Sequence, residues 1–136
     1  HDGVRPFITE DLIERSLKAA KQFGASVVAV PVKPTLKHVG KSGRIISTPD
    51  RSNFWEAQTP QVFRRDLIEK AYEKAKGKRI NITDDSMLVE RLGIRPKIVM
   101  GDYSNIKITT REDLELAKVL LLTPHFRVGN STGGSL

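Results

Sequence analysis

The first residues of the chain have the make-up of a binding-site fragment. Asp2, Gly3 and Arg5 place a carboxylate and a guanidinium within five positions, with a glycine between them. A carboxylate can ligate a metal ion, and a guanidinium can hold a phosphate through two parallel hydrogen bonds. A structural salt bridge between Asp2 and Arg5 explains the pair equally well. Because such a fragment opens the sequence, we expect the chain to be the second half of a longer domain.

The rest of the sequence offers few ligands for a metal ion. The chain has no cysteine, so a thiolate site, a disulfide framework and a cysteine nucleophile are excluded, and oxygen atoms or the three histidines would have to hold any metal. His38 and His125 have no second ligand at a suitable spacing. Asp84 and Asp85 are adjacent, but acids in the first turn of a helix interact favourably with its dipole. We therefore favour a structural role for these two aspartates.

Lys107 lies between two isoleucines, Ile106 and Ile108. In a strand, alternation would turn its side chain to the face opposite theirs. The spacing alone indicates only that the Lys107 side chain points away from the core, so a surface lysine is the simplest interpretation.

Charge and composition limit the partners of the chain. It carries 23 lysines and arginines against 16 acidic residues, a net charge of +7 that attracts anionic partners. The basic residues are dispersed among acidic ones, and with two tyrosines and one tryptophan no stacking platform for nucleic acid is evident. No apolar run reaches the roughly 18 to 20 residues that span a bilayer, and no signal peptide is evident. We expect a soluble protein that binds neither nucleic acid nor membrane.

The predicted elements alternate between helices and strands. A helix over 10–23 is predicted between an N-cap at Thr9 and a stop at Gly24. The apolar, β-branched run at 26–32 predicts a strand buried on both faces. The other predicted elements are a hairpin from pieces at 35–39 and 44–48, a helix over 65–76 that buries Leu67, Ile68, Ala71, Tyr72 and Ala75, a short helix from Thr83 to Gly93, strands at 97–100 and 106–108, and a last helix capped by Thr110 and Asp113.

This order predicts an α/β fold with a mainly parallel sheet that is covered on both faces. In open sheets of this kind the ligand lies beyond the carboxyl ends of the strands, where loops supply the chemistry. The loops after the strands are therefore where a site is expected.

Four segments of the sequence form motifs: HDGVRPF at 1–7, DRSNFWEAQTPQVF at 50–63, TDD at 83–85 and NIKITTREDL at 105–114. Together they resemble the 2-C-methyl-D-erythritol 4-phosphate cytidylyltransferases of the non-mevalonate isoprenoid pathway, in the order and spacing of that family. The resemblance implies a Rossmann-like nucleotidyltransferase fold with a protruding β-hairpin arm. It also implies cytidylyl transfer from CTP to methylerythritol phosphate, with Mg²⁺ and with pyrophosphate as a product.

In that reaction the substrate phosphate attacks the α-phosphorus of CTP, and no covalent protein intermediate is needed. Catalysis then consists of positioning and charge neutralisation. Lys107 looks like the lysine that holds the attacking phosphate, and Arg51 looks like an arginine that the arm of a partner subunit brings to the substrate phosphate. Asp2 resembles a residue near the substrate hydroxyls and the metal, and Arg5 one that orders the loop or contacts substrate. Three threonines match substrate-contacting or loop-fixing positions, although each also has a local explanation: Thr35, Thr59 and Thr83.

The resemblance also implies how the chain is organised. Residues 1–122 correspond to the C-terminal part of a single cytidylyltransferase domain, 33–55 to an arm that forms a homodimer, and 123–136 to a flexible tail. Bacterial cytoplasm and plastid stroma both fit the family.

One departure from the family pattern is large. Family members begin with a strand and a Gly-rich loop that cradle the CTP triphosphate, and these 136 residues contain neither. We therefore expect that the 136 residues alone do not turn over CTP. Two alternatives remain open, a ribitol-5-phosphate cytidylyltransferase and a non-catalytic dimerisation fragment.

Overall fold

The computed structural model describes residues 1–77 and 81–123, so the tail predicted at 123–136 lies almost wholly outside the described residues. The described part is an α/β fold with one three-stranded sheet and a separate two-stranded hairpin. In chain order the elements are α1 (Glu10–Phe23), β1 (Ala25–Pro31), β2 (His38–Val39), β3 (Ile45–Ser47), a short 3₁₀ helix (Arg51–Asn53), β4 (Trp55–Phe63), α2 (Arg65–Ala75), α3 (Ser86–Glu90), β5 (Lys97–Met100) and α4 (Arg111–Leu122).

The two helices with strong capping residues form where the sequence predicts them. The Thr9 hydroxyl accepts the Leu12 N–H at the start of α1, and Gly24 ends that helix in the left-handed conformation, at φ 87°. At the start of α4, Thr110 and Asp113 form a reciprocal capping box. None of the described helices is long and apolar enough to cross a membrane.

β1 is the centre of the sheet, with β4 antiparallel on one side and β5 parallel on the other. Its first six residues are buried because helices cover both faces, which explains the apolar sequence without alternation. One face packs against α1 and the other against α2 and α3. The two clusters are Leu12, Val28 and Val99, and Ala25, Ala71, Leu88 and Val89.

The sequence does not predict β4, although it is the longest strand among the described residues. Pro60 lies within it, and proline is confined to edge strands and bulges. β4 has β1 as its one neighbour in the described sheet, so it tolerates the proline, and the Thr59–Pro60 peptide bond is cis. The α/β class is confirmed, and β4 makes the sheet a mixed one.

The helix predicted from Thr83 begins three residues later. α3 starts at Ser86, and the Asp84 carboxylate accepts the Met87 N–H of its first turn at 3.1 Å. Thr83 is not an N-cap, because its hydroxyl donates to the Met87 sulfur at 3.0 Å. Asp84, two residues before the helix, therefore has the capping role that the sequence assigns to Thr83.

Two further expectations are wrong. No strand forms over 106–108, which is a loop that the Ile108 N–H ties to the Val4 carbonyl at 2.9 Å. Tyr72 is not buried, since half of it is exposed and its hydroxyl donates to Asp85 at 2.6 Å.

The predicted hairpin is confirmed, with shorter strands than expected. β2 and β3 pair antiparallel, with His38 opposite Ser47 and Val39 opposite Ile45. Gly43 in its turn has φ 75°, a conformation that favours glycine. The strands expose Val39, Ile45 and Ile46, so the hairpin stands apart from the core.

Candidate functional site

A polar pocket of about 530 Å³ lies where the loop at 1–5, the middle of β4, the segment before α3 and the loop after β5 meet. It is lined by five of the seven residues that the sequence singles out for a site. These five are Asp2, Arg5, Thr59, Thr83 and Lys107.

The Asp2 carboxylate joins the two cations of the pocket. Its Oδ2 lies 3.4 Å from the Arg5 Nε and 3.4 Å from the Lys107 Nζ. The Arg5 side chain is 11% exposed, whereas that of Lys107 is 50% exposed. The salt bridge between Asp2 and Arg5 therefore exists, and Lys107 is the cation with room to meet a ligand.

Thr59 fixes the first residues of the chain to β4. Its hydroxyl accepts the Asp2 N–H at 3.1 Å and lies 3.0 Å from the His1 Nδ1. The other ring nitrogen of His1 lies 3.1 Å from the Arg5 carbonyl oxygen. The threonine hydroxyl thereby orients the loop that carries both charged residues.

The Gln61 side chain holds the segment before α3 at the pocket wall. Its amide donates to the Asp84 Oδ2 at 2.9 Å, and its carbonyl oxygen accepts the Ser86 N–H at 3.2 Å. The Asp84 Oδ1 also accepts from the Ser86 hydroxyl at 2.9 Å. Asp84 is thus engaged at both oxygens by hydrogen bonds of the structure. The expectation that Asp84 and Asp85 lie in the first turn of the helix is wrong, since α3 begins after both of them.

The Asp85 carboxylate accepts a hydrogen bond from the Tyr72 hydroxyl, and this hydrogen bond raises the pKa of Tyr72 above its ordinary value. Within the described parts of the chain, no group of three or more histidine, aspartate and glutamate side chains could hold a metal ion. Asp2 is the pocket carboxylate whose partners are cations, so a cation bound there would share it with Arg5 and Lys107.

Arg51 and Thr35 do not line the pocket. Both are exposed, and the Arg51 guanidinium donates to the Lys33 carbonyl at the base of the hairpin. The Ser52 N–H and hydroxyl bond the preceding Asp50 carboxylate and lower the pKa of Asp50. Within a single chain, the structure does not bring Arg51 or Thr35 to the other candidate residues.

Three amide side chains at the site were not predicted. Gln58 and Gln61 lie on β4, where the sequence predicts no strand, and Asn105 lies in the loop after β5. Each falls within or beside a segment that carries the family resemblance. Their polar amides inside those segments were the signal from which a role at the site could have been predicted.

Comparison with solved structures defines the class of protein. The fold matches the crystal structure of 4-diphosphocytidyl-2C-methyl-D-erythritol synthase from Anaerococcus prevotii with a TM-score of 0.84 and 39% identity, over 90% of this chain and 57% of that one. It matches 2-C-methyl-D-erythritol 4-phosphate cytidylyltransferase from Thermus thermophilus with a TM-score of 0.80 and 36% identity, over 90% of this chain and 60% of that one. The chain therefore has a Rossmann-like α/β fold of the nucleotidyltransferase type.

The family follows from the sequence comparison. The model of the 2-C-methyl-D-erythritol 4-phosphate cytidylyltransferase family matches residues 1–123, and the chain belongs to this family. A curated relative of that name from Caldanaerobacter subterraneus is 50% identical over 121 residues, which are 89% of this chain and 53% of the relative. The chain spans about half the length of the curated relatives it matches.

Proposed function

We propose that the pocket binds the phosphorylated polyol in cytidylyl transfer from CTP to 2-C-methyl-D-erythritol 4-phosphate. The observation that supports this most is the meeting of Asp2, Arg5 and Lys107 at distances of 3.4 Å in a polar pocket of a member of this family. Thr59 and Thr83 add hydroxyl groups to the same wall. Carboxylate and hydroxyl groups suit the hydroxyls of a polyol, and the two cations suit its phosphate.

The proposed reaction is a direct displacement at phosphorus. A phosphate oxygen of the polyol phosphate forms a bond to the α-phosphorus of CTP while the bond from that phosphorus to the bridging oxygen breaks, and pyrophosphate leaves. Negative charge develops on the oxygens around the phosphorus, so positioning and cationic groups supply the catalysis. No group of the protein has to become covalently attached.

In this scheme Lys107 holds the attacking phosphate. Its ammonium group pairs with Asp2 as its one ion-pair partner in the described part of the chain, and half of its side chain reaches solvent. A ligand phosphate can therefore replace or share that carboxylate. Arg5 is held more firmly, by Asp2 and the Asn105 carbonyl, and adds positive charge to the same part of the pocket.

The charges of the pocket support a further cation from outside the chain. Two cations, Arg5 and Lys107, face three carboxylates, Asp2, Asp84 and Asp85, along its wall. A phosphate dianion would need more positive charge than this. We propose that the protein acts as a homodimer in which Arg51 of a second copy supplies this charge. Arg51 lies on the hairpin arm, which we assign to 33–55 of a domain that comprises 1–122.

Mg²⁺ fits the donor set in one way. Proteins hold this ion through one or two carboxylates together with substrate phosphates, and Asp2 is a carboxylate at the pocket with no hydrogen bond from a neutral side chain among the described contacts. Asp2 would be the protein ligand of the ion, and the substrate phosphates would supply further oxygen ligands. Bound there, Mg²⁺ would neutralise charge on the phosphates.

Pyrophosphate release by the full-length protein, with CTP and Mg²⁺, tests the proposal. We expect release that depends on methylerythritol phosphate and is much weaker with ribitol 5-phosphate. A preference for ribitol 5-phosphate would assign the protein to the alternative reaction. No release with either polyol phosphate, from protein that binds CTP, would contradict the proposal.

We also propose that the 136 residues by themselves do not turn over CTP, because they span about half the length of the relatives they match. The same assay on the 136-residue chain checks this. A rate comparable to that of the full-length protein would contradict it.

A further inference from the structure

Asn105 is the residue at which three parts of the pocket are joined. It is fully buried. Its side-chain amide donates to the Thr59 carbonyl at 2.9 Å and to the Gln58 Oε1 at 3.3 Å, so it bonds β4 twice. Its own backbone carbonyl accepts the Arg5 guanidinium at 2.7 Å. One residue therefore links the loop after β5, the middle of β4 and the loop at 1–5.

Gln58 completes this connection. Its amide donates to the Asp102 carbonyl at 2.8 Å, and the Asn105 N–H donates to the same carbonyl at 3.0 Å. Gln58 is 6% exposed and lies directly over Gly101, where a Cβ would come within 2.4 Å of its Oε1. The two amide side chains thus have little freedom to move.

The Asn105 amide is used on one side only. Its Oδ1 is buried and accepts no hydrogen bond from the described residues, and an unsatisfied buried acceptor destabilises a fold. What the amide provides is a pair of directed N–H donors that fix the position of the loop.

That loop carries Lys107. The backbone on either side of the lysine is anchored, at Asn105 as described and at Ile108, whose N–H donates to the Val4 carbonyl at 2.9 Å. Among the residues that the structure describes, the lysine side chain has Asp2 as its ion-pair partner. Where its ammonium group lies therefore depends on the loop, and the loop depends on Asn105.

We infer that Asn105, acting together with Gln58, is a positioning residue that sets Lys107 and Arg5 for the phosphate of the substrate. The inference rests on the proposed function. Displacing a binding group by about 1 Å can cost roughly a hundredfold in rate. Loss of a residue that orients a metal ligand costs about 10- to 100-fold, and we expect the same scale for a residue that orients a binding cation. The effect should appear in the use of the polyol phosphate and not in the use of CTP.

The test uses the full-length protein and the variants Asn105→Ala and Gln58→Met. We expect kcat/KM to fall about 10- to 100-fold for Asn105→Ala, mainly through a higher KM for the polyol phosphate, with the KM for CTP nearly unchanged. Gln58→Met keeps the side-chain volume but removes both hydrogen bonds of the amide. It should therefore raise the KM for the polyol phosphate too, by a smaller factor than Asn105→Ala. If Asn105→Ala does not fold, Gln58→Met decides.

A matched control and a double variant separate positioning from stability. Ser26 is also fully buried, and its hydroxyl donates to the Ser16 carbonyl at 2.8 Å, away from the pocket. Ser26→Ala should lower the melting temperature and leave both KM values unchanged. In protein that already carries Lys107→Ala, adding Asn105→Ala should lower kcat/KM by less than about threefold, because the effects of residues that act through one another are not additive. The same loss in both backgrounds would overturn the inference.

Binding of inorganic phosphate keeps this inference distinct from the proposed function. If the wild-type protein releases no pyrophosphate, the proposed reaction fails, but phosphate titration still tests the positioning of the cations. We expect phosphate to bind at least about tenfold more weakly to Asn105→Ala than to the wild type. Equal phosphate affinity would overturn the inference, and wild-type protein that binds no phosphate would overturn both.

Discussion

Arg5 and Lys107 carry the same charge at the pocket but are held differently. Arg5 is nearly buried and donates at 2.7 Å to the Asn105 carbonyl. The Lys107 side chain is half exposed and forms an ion pair with Asp2 at 3.4 Å. An exposed ion pair of that length contributes at most about 1 kcal/mol to folding. Lys107 is therefore available for a ligand at little cost in stability.

This difference predicts the outcome of removing the lysine. Lys107→Ala should lower kcat/KM about 100-fold or more, because charge stabilisation by one preorganised group is commonly worth that much, while the melting temperature changes little. Steady-state pyrophosphate release and thermal unfolding of the full-length protein measure the two effects. Lys118, which pairs with Glu115 on α4, offers a matched control. Lys118→Ala should change neither quantity, and a comparable loss of activity in both variants would contradict the assignment.

At the scale of single elements, the junction after β5 depends on a glycine. The Gly101 N–H donates to the Ala29 carbonyl at 2.9 Å, and a Cβ there would lie 2.8 Å from the Val28 Cγ1 and 3.3 Å from that same carbonyl oxygen. Gly101→Ala should therefore destabilise the protein by about 1 to 3 kcal/mol, as overpacking does. Gly3→Ala is the control, because nothing lies within 4 Å of its added Cβ. Urea unfolding that shows equal stability for the two variants would argue against this packing.

The cap of α4 makes a pH-dependent contribution to stability. The N–H groups of Thr109 and Thr110 hold the pKa of Asp113 down, from its ordinary value of 3.8 to about 2. A lowered pKa in the folded state means that the charged carboxylate stabilises the fold above pH 4, and that this contribution disappears as the pH falls towards 2.

Asp113→Ala should accordingly lower the urea midpoint at pH 7 and have almost no effect near pH 2. Glu112→Ala is the comparison, because Glu112 lies in the same first turn but is not part of the capping box that Thr110 and Asp113 form. A difference between wild type and Asp113→Ala that stays constant from pH 7 to pH 2 would contradict the role of the cap.

These elements show what the sequence could and could not predict. α1 and α4 are fixed by local contacts such as the Thr110 cap, so their bounds follow from neighbouring residues. β4 depends on pairing with β1, about thirty positions earlier, and its proline argues against a strand when read locally. The candidate residues were found through the family segments, but the roles of Gln58 and Asn105 depend on contacts between elements that no local pattern contains.

For the whole molecule, the hairpin raises the question of which subunit a given Arg51 serves. In one chain Arg51 bonds the base of its own hairpin and lies outside the pocket. Among the described residues that line this pocket, Arg5 and Lys107 face three aspartates. The exposed apolar residues Val39, Ile45 and Ile46 on the hairpin suit burial against a second copy. In the homodimer that we propose, each arm would reach the pocket of the partner.

Mixing two inactive variants tests this arrangement. Arg51→Ala keeps its own Lys107, and Lys107→Ala keeps its own Arg51, so a mixed dimer with arms acting between subunits contains one intact site and one doubly deficient site. If subunits exchange at random, half of the dimers are mixed, and about a quarter of the wild-type activity should return. If Arg51 acts within its own chain, every site lacks one cation and mixing restores nothing. Light scattering is needed alongside, because a strictly monomeric full-length protein would exclude any contribution of Arg51 from a partner.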